Sequence, residues 1–151
     1  MGLFDFLFNG AEDPLQTKFD ELWDKAYNEK IRDDDISLLN DNEKIFFVLY
    51  VFDMEFQNGG LCQFFVNSSR VYAPLVSEYL GIVGAAEHQK MFDDFVVSNK
   101  IDLSDLSFFI IKSSYEYQSK FLAYPFEKFD HSFGELTGLV NYLGDFMKNK
   151  L

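Results

Sequence analysis

Cysteine and histidine are almost missing from this sequence: 151 residues hold one Cys and two His. A lone Cys62 excludes an internal disulfide framework and points to a reducing compartment, with the cytoplasm as the default. A zinc site needs about four His or Cys ligands. Neither His88 nor His131 has another at ligand spacing, so no metal is expected. His88 is read as a surface or boundary residue of its helix. Cys62, between Leu61 and Gln63, is a small buried hydrophobe rather than half of a Cys-His pair. Cations are scarce too: 13 Lys+Arg stand against 25 Asp+Glu, a formal net charge of −12. Recognition of DNA or RNA phosphate needs an excess of cations, so direct nucleic-acid binding is disfavoured.

Long apolar runs are also lacking. No stretch of 18 residues is free of charge or polar breaks, which excludes a transmembrane helix. The start, Met1 to Phe8, is apolar, yet Asp5 interrupts it and no basic region precedes it. It fits neither a signal peptide nor, with Phe6 where Ser or Thr is required, a myristoylation site. Residues 1–13 read as an arm that packs on the core or docks on a partner. No P-loop, dinucleotide fingerprint, serine elbow or H-E-x-x-H is present. The expectation is a protein without catalytic residues or cofactor, not an enzyme.

What the sequence has in abundance is aromatic rings: 19 Phe, 8 Tyr and 1 Trp. At roughly 150–250 Å² buried apiece, they can build a core without staples. The length suits one domain, here residues 14–151. Behind Asp13-Pro14, the residues Phe19, Leu22, Trp23 and Ala26 recur at helical spacing, predicting an amphipathic helix over 14–29. Asn40 and Glu43 resemble a capping box. Eight apolar residues follow, Ile45 to Phe52, and the apolar pattern continues to Asn58-Gly59-Gly60. That length and the glycine stop favour a buried helix over a strand.

Further helices are predicted from Leu61 to about Asn67, from Pro74 to Gly84 and from Ala85 to Val97. Two longer ones follow, Leu103 to Phe121 and Phe126 to about Lys148. About seven helices with short connections make an all-α fold.

The segment Glu55-Phe-Gln-Asn-Gly-Gly-Leu-Cys-Gln-Phe-Phe-Val-Asn67 carries the most information. Adjacent glycines permit positive φ and close backbone approach. Asn58, Gln63 and Asn67 lie among aromatics and need hydrogen bonds there, each amide serving the orphan backbone groups of the corner, while Glu55 is expected to be partly buried with a cap or turn partner. Together with Gly59, Gly60 and Phe64 they read first as a polar staple of a tight helix corner, with a ligand site as the alternative.

The pattern E-x-x-N-G-G-x-x-Q-F-x-x-N, the apolar helix ending at Gly81-Ile82-Val83-Gly84-Ala85, and the later Phe129-Asp130-x-x-Phe133 resemble the DUF4375 family, which includes the DMP19-type DNA-mimic proteins. The resemblance spans roughly residues 40–148 and departs at Leu61, where the family usually has an aromatic. It implies an all-α fold. It also implies a mode of action in which carboxylates stand in for DNA phosphates before a basic DNA-binding regulator.

The charge itself is uneven. Residues 1–60 hold 14 acids and 5 Lys+Arg, a net −9, against −1 for 61–100 and −2 for 101–151. Asp20, Glu21, Asp24, Asp33, Asp34, Asp35, Asp41 and Glu43 are the candidates for a phosphate-like, partner-binding array. The partner expected is a basic DNA-binding protein; an immunity-type protein that neutralises a basic toxin would use the same electrostatics. An acidic surface that serves only solubility is the third reading.

Overall fold

Pro at the first helical position and a side-chain cap open the first helix, as their sequence predicts. The computed structural model describes residues 13–27 and 36–151. Within it, α1 runs Pro14–Ala26, and Asp13 Oδ1 accepts a hydrogen bond from the Leu15 N–H at 3.0 Å. Phe19, Leu22 and Ala26 are buried, but Trp23, expected on the same inward stripe, is 44% exposed. The arm of residues 1–12 and the segment 28–35, including Asp33, Asp34 and Asp35, lie outside the described residues.

The central element is α2, Asp41–Val66. Its capping box is complete: Glu43 N–H donates to Asn40 Oδ1, and Asn40 N–H donates to Glu43 Oε1, both at 2.9 Å. Every residue from Ile45 to Phe52 is buried. A helix apolar on all sides is stable only when neighbours surround it. Five other helices pack against α2: α1, then α3 (Ala73–Ile82), α5 (Ser114–Ala123), α6 (Phe126–Gly134) and α7 (Leu139–Lys150). α4 (Ala86–Ser98) packs on α3 and α6. A 3-10 turn, Ser68–Tyr72, joins α2 to α3. The described residues thus form seven α-helices.

The core is aromatic. Phe52 meets the rings of Phe64, Phe92 and Phe133 edge-on, at centroid distances of 5.0, 5.9 and 6.0 Å. Edge-to-face pairs set the positive rim of one ring against the negative face of another, beyond the gain from burial alone.

Two of the predicted helices are corrected. Residues 103–121 do not form one helix: a loop and a 3-10 turn, Ser107–Phe109, precede α5. Asp102 Oδ1 accepts from the Ser104 N–H and hydroxyl, and Asp105 Oδ1 accepts from the Ser107 N–H. Such local bonds give the backbone partners that a helix would otherwise supply. The predicted 126–148 helix is two, α6 and α7, broken at residues 135–138. Gly134 ends one and Gly138, with φ −52° and ψ 134°, caps the next. The break resets the register, so Leu139 and Phe146 are buried while Val140 and Met147 are only partly so.

Candidate functional site

The glycine corner lies inside α2. Gly59 has φ −164° and ψ 15°, and Gly60 has φ 80° and ψ −174°, so the helix bends between two regular halves. Only Gly60 has the positive φ expected of both. At Gly59 the demand is spatial: a Cβ there would run into the Gln63 side-chain amide. A Cβ at Gly60 would run into the carboxylate of Asp130.

That carboxylate explains the close approach. Breaking a helix leaves the N–H groups of its second half without partners. Asp130, from α6, accepts the Leu61 N–H on Oδ1 at 3.0 Å and so caps the second half from across the fold. Burial pushes the Asp130 carboxyl above its usual range, and the Leu61 hydrogen bond partly offsets this. The Tyr117 hydroxyl, from α5, donates to the Gly59 carbonyl at 3.4 Å.

Glu55 stands on the first half and reaches the second. Its Oε2 accepts from Gln63 Nε2 at 2.9 Å and from Asn67 Nδ2 at 2.8 Å. These three residues form a staple of side chain to side chain, where the amides were expected to pair with orphan backbone groups; Phe64 is fully buried. Asn58 does not join them; it is exposed. Sequence reasoning missed Asp130 and Tyr117 as members of the corner. Their partners lie 69 and 58 residues away, beyond the reach of any local pattern.

The thiol and the phenol of the corner are both held protonated. Burial pushes the Cys62 thiol up to about 11 and the Tyr117 hydroxyl up to about 12, so both are neutral at physiological pH. Thiolates, not thiols, are nucleophiles.

The acidic candidates separate into two groups. Asp20, Glu21 and Asp24 are exposed on α1, and Asp41 is exposed at the start of α2. Asp20 accepts from Gln16 Nε2 at 2.8 Å, and Glu21 pairs with Lys18 at 3.2 Å. Asp20 and Asp24 lie about 6 Å apart along the helix axis. Glu43 is a correction: it is buried, paired with Lys25 Nζ at 2.7 Å, and occupied in the capping box. Burial, the strongest single influence, would raise its pKa, but the Lys25 and Asn40 hydrogen bonds and the Lys25 and Lys18 charges together lower it. Its carboxylate holds α1 to α2 instead of facing a partner.

His88 is also corrected, from surface to interior. It is 2% exposed, with edge-on contacts to Phe133 at 5.0 Å and Tyr142 at 5.5 Å. The Thr137 backbone is a hydrogen-bond partner, and Nδ1 has none among the described residues. Burial lowers its pKa, so the fold holds it neutral. The stability this represents is present above about pH 6.5 and is lost as pH falls through that value toward the folded-state pKa.

Across a cavity of about 30 Å³ from His88 lies Asp53, also buried. Burial raises the Asp53 pKa, only partly offset by the Gln57 amide at 3.4 Å. Here the sign is reversed: the fold prefers the protonated carboxyl, and stability is lost as pH rises through the folded-state pKa. Asp53→Asn is therefore expected to raise Tm at pH 7, by about 2–4 °C for each ~1 kcal/mol relieved. The difference should shrink as both proteins are melted at pH values approaching 4. A variant that melts below the parent at pH 7 would contradict this account of Asp53.

Among the described residues, no group of three or more His, Cys, Asp or Glu is placed to hold a metal. None of their helices is long and apolar enough to cross a membrane.

The family model for DMP19-like protein matches residues 37–150, from the end of the 28–35 segment to the end of α7. The chain belongs to the DMP19-like family. No curated protein and no solved structure matches it. The DMP19-like region contains the corner, Asp130 and Asp41, and it leaves α1 outside. Residues 37–150 hold 15 acids and 9 Lys+Arg, a net −6, while residues 1–36 hold 10 and 4, also −6. Half of the charge excess therefore lies on the quarter of the chain that precedes the family match.

Proposed function

We propose that this protein is a non-catalytic binding protein that presents exposed carboxylates, in place of DNA phosphates, to the DNA-binding surface of a basic protein. The observation that carries this reading is the exposed row Asp20, Glu21 and Asp24 on α1, within a chain of net charge −12. Membership of the DMP19-like family is consistent with it. Complementary charge speeds association with a cationic surface and makes it sensitive to salt. A phosphate-binding surface is such a surface, because it carries the cations that displace counterions from DNA. The polar groups of the corner support a role without chemistry, since they bond to one another and to the backbone.

The test is capture of partners on the immobilised protein at low salt, followed by competition. The captured protein is expected to bind labelled duplex DNA, and this protein is expected to displace that DNA. Affinity should fall steeply as salt rises past ~0.15 M, where charges are screened over about 8 Å. A partner that holds duplex DNA and this protein at once would defeat the proposal, as would one whose affinity ignores salt.

A further inference from the structure

Between α1, the first half of α2 and the 3-10 turn lies a groove of about 420 Å³. Its walls are rings. Trp23 and Tyr27 have centroids 4.2 Å apart, Phe47 lies 6.3 Å from Trp23, and Tyr72 meets Phe47 edge-on at 6.1 Å. The mouth is open: Trp23 is 44% exposed and Met54 41%. A helix that buries Phe19, Leu22 and Ala26 thus leaves its largest ring facing the groove and solvent.

Glu55 also lines this groove. Both of its amide partners, Gln63 and Asn67, bond to Oε2. They fix the carboxylate, and Oε1 has no donor among the described residues. Nor does any of their cations pair with Glu55; the ion pairs of α1 and α2 engage Glu21 and Glu43 instead. The result is an oriented, half-buried carboxylate beside a stack of aromatic faces, with no positive charge of its own.

Ring faces attract cations, and a carboxylate oxygen accepts their N–H groups. A planar guanidinium satisfies both at once, stacking on a ring while its fork donates to the carboxylate; a compact ammonium does so less well. The volume suits a side chain and its neighbours. We infer that the groove is an anchor site for an arginine side chain of the basic protein partner, with the guanidinium between Trp23 and Glu55 Oε1. This rests on the reading of the protein as a binder of basic partners, and it moves the specific contact from the exposed acids of α1 to a shaped pocket beside them. The exposed Asp20 and Asp24 on the same helix draw the cation in, while the groove selects it.

The test uses the full chain and a short probe, Ac-Leu-Arg-Leu-NH2. Trp23 is the single tryptophan of the sequence, so intrinsic fluorescence reports on the groove. At ~0.15 M salt the arginine peptide is expected to give a saturable change. The citrulline peptide, of the same shape without the charge, should bind at least about tenfold more weakly. Glu55→Gln keeps a carbonyl oxygen for the Gln63 and Asn67 amides, so its circular dichroism and melting should match the parent. Its affinity for the arginine peptide should nonetheless fall about tenfold. Asp20→Asn with Asp24→Asn should change peptide affinity by less than about threefold, since exposed charges are screened at this salt.

Three results would overturn the inference. One is equal binding of the citrulline or norleucine peptide, which would make the groove a site for apolar segments. Another is a Trp23 signal that changes with protein concentration alone, which would make a second copy the occupant. The third is no saturable response to the arginine peptide in the millimolar range. The peptide carries no DNA-binding surface, so any of these leaves the DNA competition result standing. A groove that binds arginine while the captured partner tolerates DNA would instead defeat the functional reading alone.

Discussion

Gly60→Val should destabilise the protein by about 3–5 kcal/mol, read by urea or thermal unfolding. Two costs combine. Valine resists the positive φ of this position, a strain of about 1–3 kcal/mol. Its Cβ also displaces the Asp130 carboxylate, and the buried Leu61 N–H then loses its acceptor, which costs roughly another 1–3 kcal/mol. Asp130→Ala removes the acceptor without the strain and should fall between the parent and Gly60→Val. Combined, the two changes should cost less than their sum, because they destroy the same bond. Asn58→Ala, exposed and outside the staple, should stay within about 0.5 kcal/mol of the parent. If Gly60→Val unfolds like the parent, the bend in α2 does not depend on its remote cap.

The second large effect concerns recognition. Asp20→Asn, Glu21→Gln and Asp24→Asn remove three exposed charges from α1, and Asp33→Asn, Asp34→Asn and Asp35→Asn remove three more from the following acidic run. The six-fold variant is expected to lose about 100-fold or more in affinity for the captured basic partner at low salt, mostly through slower association. Its stability should hold or improve slightly, since like charges no longer repel. The comparison set is Glu116→Gln, Glu127→Gln and Asp145→Asn, from a region of net charge only −2. It should cost less than about threefold. Equal losses from both sets would mean that the field of the whole molecule, and no particular face, attracts the partner.

How legible these features were depends on the distance over which their causes act. The Asn40–Glu43 cap and the Asp13-Pro14 start depend on residues at most three apart, and the structure matches their spacing. The Ile45–Phe52 run read as buried because no polar residue interrupts it. Gln63 and Asn67 were visible as polar residues of the corner because both stand beside its glycines, but their common partner, Glu55 one bend away, was not. Other features were hidden. Helical periodicity across 103–121 and 126–148 was real as a pattern of core contacts, but Asp102, Asp105, Gly134 and Gly138 divert the backbone within it. Glu43 was legible as a cap yet counted among the exposed acids, because the Lys25 that buries it stands 18 residues away. Asp130 and Tyr117 reach the corner from α6 and α5, and no window of sequence places them there. Trp23 fell on the inward stripe by count, yet the groove that leaves it open is made by Phe47 and Tyr72, from α2 and the 3-10 turn.

The Asp130 cap couples the centre of the molecule to its far end in a way that hydrogen exchange can time. Leu61 is fully buried, and its amide proton is held by a side chain 69 residues away. Amides exchange when the unit that protects them opens. The Ile45–Phe52 amides lie in the unbroken first half of α2 and should report global unfolding, whereas the Leu61 amide becomes accessible whenever α6 lifts from the kink. Its exchange rate therefore gauges the undocking of α6 on its own, and Asp130→Asn, which retains an acceptor oxygen, should speed that exchange far less than Asp130→Ala.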